Sequence, residues 1–398
     1  MAYLSLYKLF VSNDYSEFEK IYNNRLNSES TFKMNVNIHD YPAFVFCHKE
    51  IANLIYKIRE IDKKVGEAFE NLPPVAKKQY IKKSLIQEVE MTNLIEGVIS
   101  TRKEINEILE DISTNTASKN RIKGIVNKYI FLTEKKETLI SNAYSIRKLF
   151  DEILYEEIKE SDLNNLPDGV IFRSKEVYVY RSSDKVIHKG ITPEAKIIEY
   201  IEESIKFLND DNVDMLIRIS VFHYLFGYIH PFYDGNGRIN RLISSYYLSF
   251  TLHPIVAYRM SMTIKENYTQ YLKAFEHTND VRNRGDIGTF VYSFLDLVYK
   301  SLESTVIYAQ EKKKELDQYK EFIENINLNL NEENLLFVLV QCSLFSEFGL
   351  SIEKLRNILE ISSSTIRKTI KSLIEKGFIK EEYIGKKLFY NANLNRLK

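Results

Sequence analysis

Residues 230–241 of this 398-residue chain are HPFYDGNGRINR, and this stretch decides the fold class and the chemistry that the sequence predicts. Apolar helical segments flank it on both sides. Gly235 and Gly237 permit a tight turn in which successive backbone N–H groups point the same way. A helix expected to begin near Arg238 adds the positive end of its dipole. The stretch is therefore predicted to be a preformed anion site.

The charged side chains of this loop fit a polyphosphate ligand. Arg238 and Arg241 are three residues apart, so both project from one side of the first turn of the helix. Their guanidinium groups suit phosphate oxygens. Asp234 would repel a phosphate unless it holds Mg²⁺. His230 ends the preceding helix, where it is placed to accept a proton from an attacking hydroxyl. An ordinary Gly-x-Gly turn would leave this set of side chains unexplained.

The loop resembles the signature of the Fic family, H-x-F-x-[D/E]-G-N-G-R-x-x-R, at every fixed position. Members mostly transfer AMP from ATP to a hydroxyl side chain of a target protein. The resemblance implies that His230 is the general base, Asp234 the Mg²⁺ ligand and Arg238 the group on the γ-phosphate. The further phosphate-binding positions that it implies are Gly235, Asn236, Gly237 and Arg241. The implied reaction is an in-line attack on the α-phosphate with pyrophosphate leaving.

Two segments near the loop resemble other parts of the same family. Alternating Val and Tyr residues with a central turn predict a β-hairpin within residues 169–191. Its residues Val186, Ile187 and His188 resemble the flap that pairs with the target's backbone; the alternative is a purely structural hairpin. Downstream, Ile264, Asn267 and Tyr271 resemble the helix that closes over adenine. Asn267 is the implied nucleotide-binding position, although Tyr268 stands where the family has arginine.

The segment Thr92-Asn-Leu-Ile-Glu96-Gly97 resembles the family's inhibitory motif, [S/T]-x-x-x-E-[G/N]. Its place before the catalytic loop implies the class that is inhibited by its own N-terminal helix. The expectation is that Glu96 pairs with Arg238, the guanidinium that otherwise holds the γ-phosphate. In some relatives the same glutamate aligns a water molecule that removes AMP from the target. The functional hypothesis therefore includes this reverse reaction. The alternative is a surface glutamate.

The fold class predicted for the whole chain is mainly α, because apolar residues recur at helical spacing and glycines and prolines are few. The predicted domains are an N-terminal helical region with the inhibitory helix at 1–115 and a Fic helical core with its hairpin flap at 116–310. A linker at 311–330 and a winged helix-turn-helix at 331–398 follow. Formal net charge is zero, so the whole chain is no polyanion binder by bulk electrostatics.

The C-terminal segment is predicted to contain three helices followed by a two-stranded wing. Arg367, Lys368, Lys371 and Lys376 lie on or near the third helix, with Lys386 and Lys387 in the wing, where DNA phosphates would be contacted. The alternative is a solvated helix face, with the domain serving homodimerisation or target recognition. Both interpretations stay open.

The leading functional hypothesis is an autoinhibited protein adenylyltransferase that uses ATP and Mg²⁺ and includes auto-modification. The alternatives are a DNA-binding regulator with a nucleotide-sensing Fic module, and transfer of another nucleotide or phosphoester group. No apolar run approaches the ~18 residues of a membrane span, and the two cysteines have apolar neighbours. A cytoplasmic protein without membrane contact is expected.

Overall fold

The computed structural model describes residues 4–113, 122–131, 140–180, 186–384 and 387–397. The predicted mainly α fold class is confirmed, since helices dominate and each sheet in the described residues is a two-stranded antiparallel hairpin. The helices, in chain order, are α1 Leu6–Ser12, α2 Tyr15–Leu26, α3 Lys49–Glu70, α4 Pro74–Ile95, α5 Arg102–Ser113, α6 Lys123–Phe131, α7 Ala143–Ser161, α8 Glu194–Leu208, α9 Met215–Ile229, α10 Asn236–Thr251, α11 Met260–Glu266, α12 Tyr268–Asn279, α13 Gly288–Asn325, α14 Leu330–Phe345, α15 Ile352–Leu359 and α16 Ser363–Glu375. The strands are β1 Thr31–Ile38, β2 Tyr41–Phe46, β3 Tyr178–Tyr180, β4 Val186–Lys189, β5 Ile379–Ile384 and β6 Lys387–Ala392.

The chain divides into two compact units. One contains Met1–Asp62 and Leu85–Leu302, and the other contains Lys63–Ser84 and Glu303–Lys398. The predicted boundaries at 115 and 310 remain predictions. Part of the expected linker is helical, because α13 continues to Asn325 without a break.

The centre of the first unit is α9, a helix that is apolar on nearly all sides. Asp214 caps its start by accepting a hydrogen bond from the backbone N–H of Leu216. Almost every residue of α9 is buried, as expected for a helix enclosed by its neighbours. The helix ends at His230, which adopts the left-handed conformation with φ of 53°. Backbone geometry therefore places the predicted base at the abrupt end of a rigid helix.

The C-terminal half of α4 is fixed inside the first unit by a buried acid. Glu88 is fully buried, and its carboxylate accepts hydrogen bonds from the backbone N–H and hydroxyl of Ser261 and from the Tyr129 hydroxyl. Burial raises the pKa of Glu88 to about 7, against the hydrogen bonds from Ser261. Glu96 follows about two turns after Glu88, just past the end of α4. The buried contacts of Glu88 therefore help to fix the position of the segment that resembles the inhibitory motif.

The β1–β2 hairpin lies near the N-terminus, within residues 1–115, which were predicted to be a helical region. Strand β1 alternates exposed and buried residues, with Met34, Val36 and Ile38 facing inward. It pairs antiparallel with β2, and His39 takes a positive φ of 55° at the turn. The period-2 alternation was visible in the sequence and was missed.

In the second unit, three helices and a hairpin follow one another at the C-terminus. Helices α14, α15 and α16 precede the antiparallel pair β5–β6, and Leu350 forms an isolated β-bridge with Tyr390 of β6. Lys386 lies outside the described residues. Among the helices that the structure describes, none combines the length and the apolar character that crossing a membrane requires.

Candidate active site

The loop between α9 and α10 is held in shape by its own side chains. The Asn236 amide accepts a hydrogen bond from the Phe232 N–H at 2.9 Å and donates to the Phe232 carbonyl at 2.8 Å. The Phe232 ring stacks on Phe150 with centroids 4.2 Å apart. Gly235 has a φ of 82°, which favours glycine, and a Cβ there would also collide with Leu154. The side chain of Asn236 therefore shapes the loop, and helix α10 begins two residues earlier than expected.

Arg238 is fully buried and is engaged with acidic groups of the first unit. Its Nη1 pairs with Oε1 of Glu157 on α7, and its Nη2 lies 3.4 Å from Oδ1 of Asp234. The expectation that Glu96 pairs with Arg238 is wrong. Helix α7 supplies the counter-ion instead, because the Arg238 side chain points towards α7 and away from the end of α4.

The partner of Glu96 is Arg241. Its Nη1 lies 2.8 Å from Oε1 of Glu96, and its Nε and Nη2 donate to the hydroxyl and the carbonyl of Thr92, each at 2.9 Å. A Cβ on Gly237 would collide with the same Glu96 oxygen, so the carboxylate lies directly against the first turn of α10. Gly97 follows with a φ of 76° and nothing near its Cβ position, so its role is the left-handed turn that ends the segment. The inhibitory motif thus brings a carboxylate onto the predicted anion site.

His230 is half-buried, with its ring held from one side. Its Nδ1 lies 3.4 Å from the Gly227 carbonyl oxygen. A proton on Nδ1 directed at that oxygen leaves the Nε2 lone pair for an incoming hydroxyl proton. Burial, together with the smaller effect of His188, lowers the pKa of His230 to about 4. The imidazole is therefore neutral at physiological pH, as a general base must be.

Arg173 ties the backbone of His230 to the base of the hairpin. The guanidinium is fully buried and donates to the carbonyl oxygens of His230 at 2.9 Å, Lys175 at 2.6 Å and Ile191 at 2.9 Å. A Cβ on Gly190 would collide with the Nη2 of Arg173. One side chain therefore fixes the backbone of His230, the predicted general base, and both ends of the hairpin.

A cavity of about 180 Å³ adjoins these groups. Its walls include Glu96, Gly237, Arg241 and His230, and further lining residues come from one side of α12: Tyr268, Tyr271, Leu272, Phe275, Glu276 and Asn279. The family resemblance assigns Tyr271 to the helix that closes over adenine and gives the other α12 residues no role, although their three-to-four-residue spacing marks one helix face. Behind them lies the fully buried His223. Its Nδ1 forms a hydrogen bond with Ser244 Oγ at 2.7 Å, and its Nε2 forms one with Tyr271 Oη at 2.8 Å.

Asn267 is not among the residues that line this cavity. It stands at the junction of α11 and α12, where its amide donates to the Thr263 carbonyl at 2.9 Å and accepts from Lys300 at 3.3 Å. The structure therefore does not place Asn267, the predicted nucleotide-binding residue, at the cavity, whereas the neighbouring Tyr268 lines it.

The predicted hairpin is present as β3–β4, with Val179 opposite His188, and its role as a flap stays a prediction. Val186 is 46% exposed, and His188 approaches the Tyr228 carbonyl through Nε2. Val179 and His188 line the cavity beside His230. The side chain of Ile187 and the predicted turn at 182–184 lie outside the described residues.

Asp234 is the loop residue whose chemistry suits a cation. Its Oδ1 accepts from the Gly235 N–H, while Oδ2 forms no hydrogen bond within the described residues. No group of three or more His, Cys, Asp or Glu side chains in that part of the chain is arranged to hold a metal by itself. A single free carboxylate oxygen fits Mg²⁺ that is held mainly by phosphate oxygens and water.

A glycine-rich turn at the start of α10 with a neutral histidine beside it is the arrangement that the sequence predicted for an anion site. Residues 145–248 match the Fic/DOC family. Residues 145–248 of the chain therefore form a Fic/DOC domain.

Similar proteins agree with this assignment. The chain is 30% identical over 139 residues to protein adenylyltransferase Fic of Drosophila erecta, covering 34% of this chain and 25% of that protein. It is 28% identical over 159 residues to protein adenylyltransferase fic-1 of Caenorhabditis elegans, covering 38% and 28%. The chain thus spans about a quarter of the length of these curated relatives. The structural match to the crystal structure of a Fic family protein from Desulfovibrio desulfuricans G20 covers 87% of this chain and 96% of that chain. The TM-score is 0.53 at 18% identity, which shows a shared fold.

Proposed function

We propose that this protein is a protein adenylyltransferase that transfers AMP from ATP to a hydroxyl side chain of a target protein. The observation that carries the proposal is the pair formed by Glu96 and Arg241 against Gly237, because a carboxylate of the chain occupies a site built for an anion. The names of the two curated relatives support AMP as the transferred group.

The site residues divide the work of the reaction. His230 accepts the proton of the attacking hydroxyl at Nε2, with its tautomer set by the Gly227 carbonyl. The backbone N–H groups at the start of α10 and the Arg241 guanidinium hold phosphate oxygens and stabilise charge as pyrophosphate leaves. Mg²⁺ held by Asp234 would neutralise part of the polyphosphate charge. Tyr268 and Tyr271 offer aromatic surface to the nucleobase.

The target protein is expected to dock on the β3–β4 hairpin. Val186 is exposed there, while Val179 and His188 face the cavity, so an added target strand would bring its hydroxyl close to His230. The cavity wall therefore continues directly into the proposed docking surface.

Autoinhibition follows from competition for one guanidinium. While Glu96 pairs with Arg241, that arginine cannot make its full contact with a terminal phosphate. A carboxylate at the same place also repels the polyphosphate. The inhibitory partner is Arg241, with Thr92 holding the arginine from the other side. Reverse removal of AMP through a water aligned by Glu96 forms part of the proposal.

The experiment is incubation of the wild type, Glu96→Gly and His230→Ala with α-labelled ATP and Mg²⁺, followed by mass spectrometry of the modified peptides. We expect strong auto-modification in Glu96→Gly, weak labelling of the wild type and none with Glu96→Gly combined with His230→Ala. The mass added to the peptide identifies AMP. Competition by unlabelled UTP or GTP tests the nucleobase.

Glu90→Gly provides a matched control, since Glu90 lies on α4, which ends one residue before Glu96, and pairs with Arg102 at 2.7 Å. It removes a carboxylate from α4 without touching Arg241. No label in Glu96→Gly, under conditions in which the protein is folded and binds ATP, would refute the transferase. Equal labelling in the wild type and Glu96→Gly would refute the inhibition alone.

A further inference from the structure

The C-terminal helices of the second unit have the element order of a helix-turn-helix. Helix α15 ends at Leu359, and the next residue, Glu360, has a positive φ of 55°. The turn consists of residues 360–362, and its last residue, Ser362, caps the start of α16. The β5–β6 hairpin follows α16, and the Leu350–Tyr390 bridge adds a third short strand segment beside it. In this order of elements the second helix of the pair is the one that reads a DNA groove.

One face of α16 is buried and fixes the orientation of the helix. Ile366, Ile370 and Leu373 are almost completely buried. The opposite face is exposed and carries Ser364, Arg367, Lys368 and Lys371, which recur at spacings of three and four residues. The buried side therefore holds the helix so that its basic side faces solvent.

The three basic residues of that face are available for a ligand. Within the described residues, Arg367, Lys368 and Lys371 form no ion pair. Lys376 differs, because its Nζ lies 2.8 Å from Oε1 of Glu332, which also accepts from Ser372. Lys376 therefore stabilises the packing of α16 on α14, and the predicted DNA contact of Lys376 is not supported.

We infer that this basic face of α16, defined as Ser364, Arg367, Lys368 and Lys371, binds double-stranded DNA through the major groove. Three cations within two turns match the spacing of phosphates and base edges across a groove. Zero net charge means that DNA attraction would come from this local face rather than from the whole protein. The inference goes beyond the proposed transferase activity and does not depend on it.

The wing side of α16 carries acidic groups that oppose a phosphate. Glu375 and Glu381 line the groove between α16 and β5, together with Arg367 and Lys371, and Glu382 is exposed nearby. We therefore expect DNA to contact the first two turns of α16, away from these acidic groups. Neutralising Glu381 should strengthen DNA binding, because it removes repulsion beside Arg367.

The test is a fluorescence-anisotropy titration of the full chain with a labelled mixed-sequence duplex of about two helical turns. Salt is varied between about 50 and 200 mM. We expect saturable binding to duplex DNA with a negative salt slope. The triple variant Arg367→Gln, Lys368→Gln, Lys371→Gln should bind at least about tenfold more weakly. Each lost phosphate contact should lower the slope by about 0.9. Glu381→Gln should bind more tightly than the wild type.

The matched control is Lys57→Gln, Lys206→Gln, Lys320→Gln, which removes the same charge from exposed positions of other helices. Thermal unfolding confirms that both triple variants are folded. Absence of saturable duplex binding at the lowest salt would overturn the inference, as would equal weakening by both triple variants. Loss of self-association in the α16 variant, without duplex binding by the wild type, would overturn it and assign this face to a dimer.

Discussion

The Glu96 carboxylate lies 2.8 Å from the guanidinium of Arg241, which joins the end of α4 to the start of α10. Thr92, one turn earlier on α4, receives two further hydrogen bonds from the same arginine. The end of α4 therefore holds Arg241 from two positions, and both contacts contribute to the autoinhibition proposed above.

Replacing Thr92 by valine should release part of the inhibition. The change keeps the shape of the side chain and the carbonyl contact but removes the hydroxyl that accepts from Nε of Arg241. One such hydrogen bond contributes about 1 kcal/mol, so auto-modification should rise roughly fivefold. The initial rate with labelled ATP measures it. Thr92→Ser is the control and should stay close to the wild type. A Thr92→Val rate no higher than that of Thr92→Ser would contradict the role of this contact.

The pH dependence of transfer should have its acid limb far below the usual imidazole range. The base must be neutral, and burial lowers the pKa of His230 to about 4. Activity is therefore present above that pKa and lost as pH falls through it. Auto-modification by Glu96→Gly should stay level through mildly acidic pH and halve at or below about pH 4, because the Glu96 carboxylate removed in this variant raises the pKa of His230. Circular dichroism at each pH checks folding. A midpoint near 6.5, the ordinary value for histidine, would show that the base is not this buried group.

Replacing Arg173 by methionine should impair both stability and transfer. The variant leaves the carbonyls of His230, Lys175 and Ile191 without their buried donor. Each unsatisfied carbonyl costs about 1–3 kcal/mol, so the melting temperature should fall clearly. Transfer in the Glu96→Gly background should fall at least about tenfold, because small displacements of a base are costly. Arg173→Lys, which keeps a cationic donor, should recover part of both losses. A stable and fully active Arg173→Met variant would exclude a positioning role.

Glu88 should make stability depend on pH. Its pKa is about 7 in the folded protein, above the ordinary value of 4.5, so the folded state binds its proton more tightly than the unfolded chain does. The stabilisation is complete below about pH 4.5 and is lost as pH rises towards 7, at about 1.4 kcal/mol per pH unit. Glu88→Gln, neutral at every pH, should remove this part of the dependence. The difference in melting temperature between wild type and variant across that window measures it. Parallel curves for the two proteins would contradict the assignment.

Local sequence patterns were sufficient to predict those parts of the structure that are set by turn residues and by the spacing of apolar residues. The Gly235-Asn236-Gly237 turn, the β3–β4 hairpin and the order of the C-terminal elements follow from turn residues and from the period of apolar residues. The β1–β2 hairpin carried the same kind of signal and was overlooked. The α12 wall of the cavity was also encoded by helical spacing, but spacing alone does not say which neighbour a helix face meets.

The amino-acid sequence by itself determined the glycine-rich loop, the histidine beside it and an upstream glutamate that resembles the family's inhibitory residue. The tertiary structure decided which arginine that glutamate pairs with. Arg238 and Arg241 are three residues apart, which turns them about 60° from each other around the axis of α10. That angle directs Arg238 to Glu157 on α7 and Arg241 to Glu96 at the end of α4. The positions of α7 and α4 around α10 come from packing between segments far apart in the chain, which no local pattern specifies.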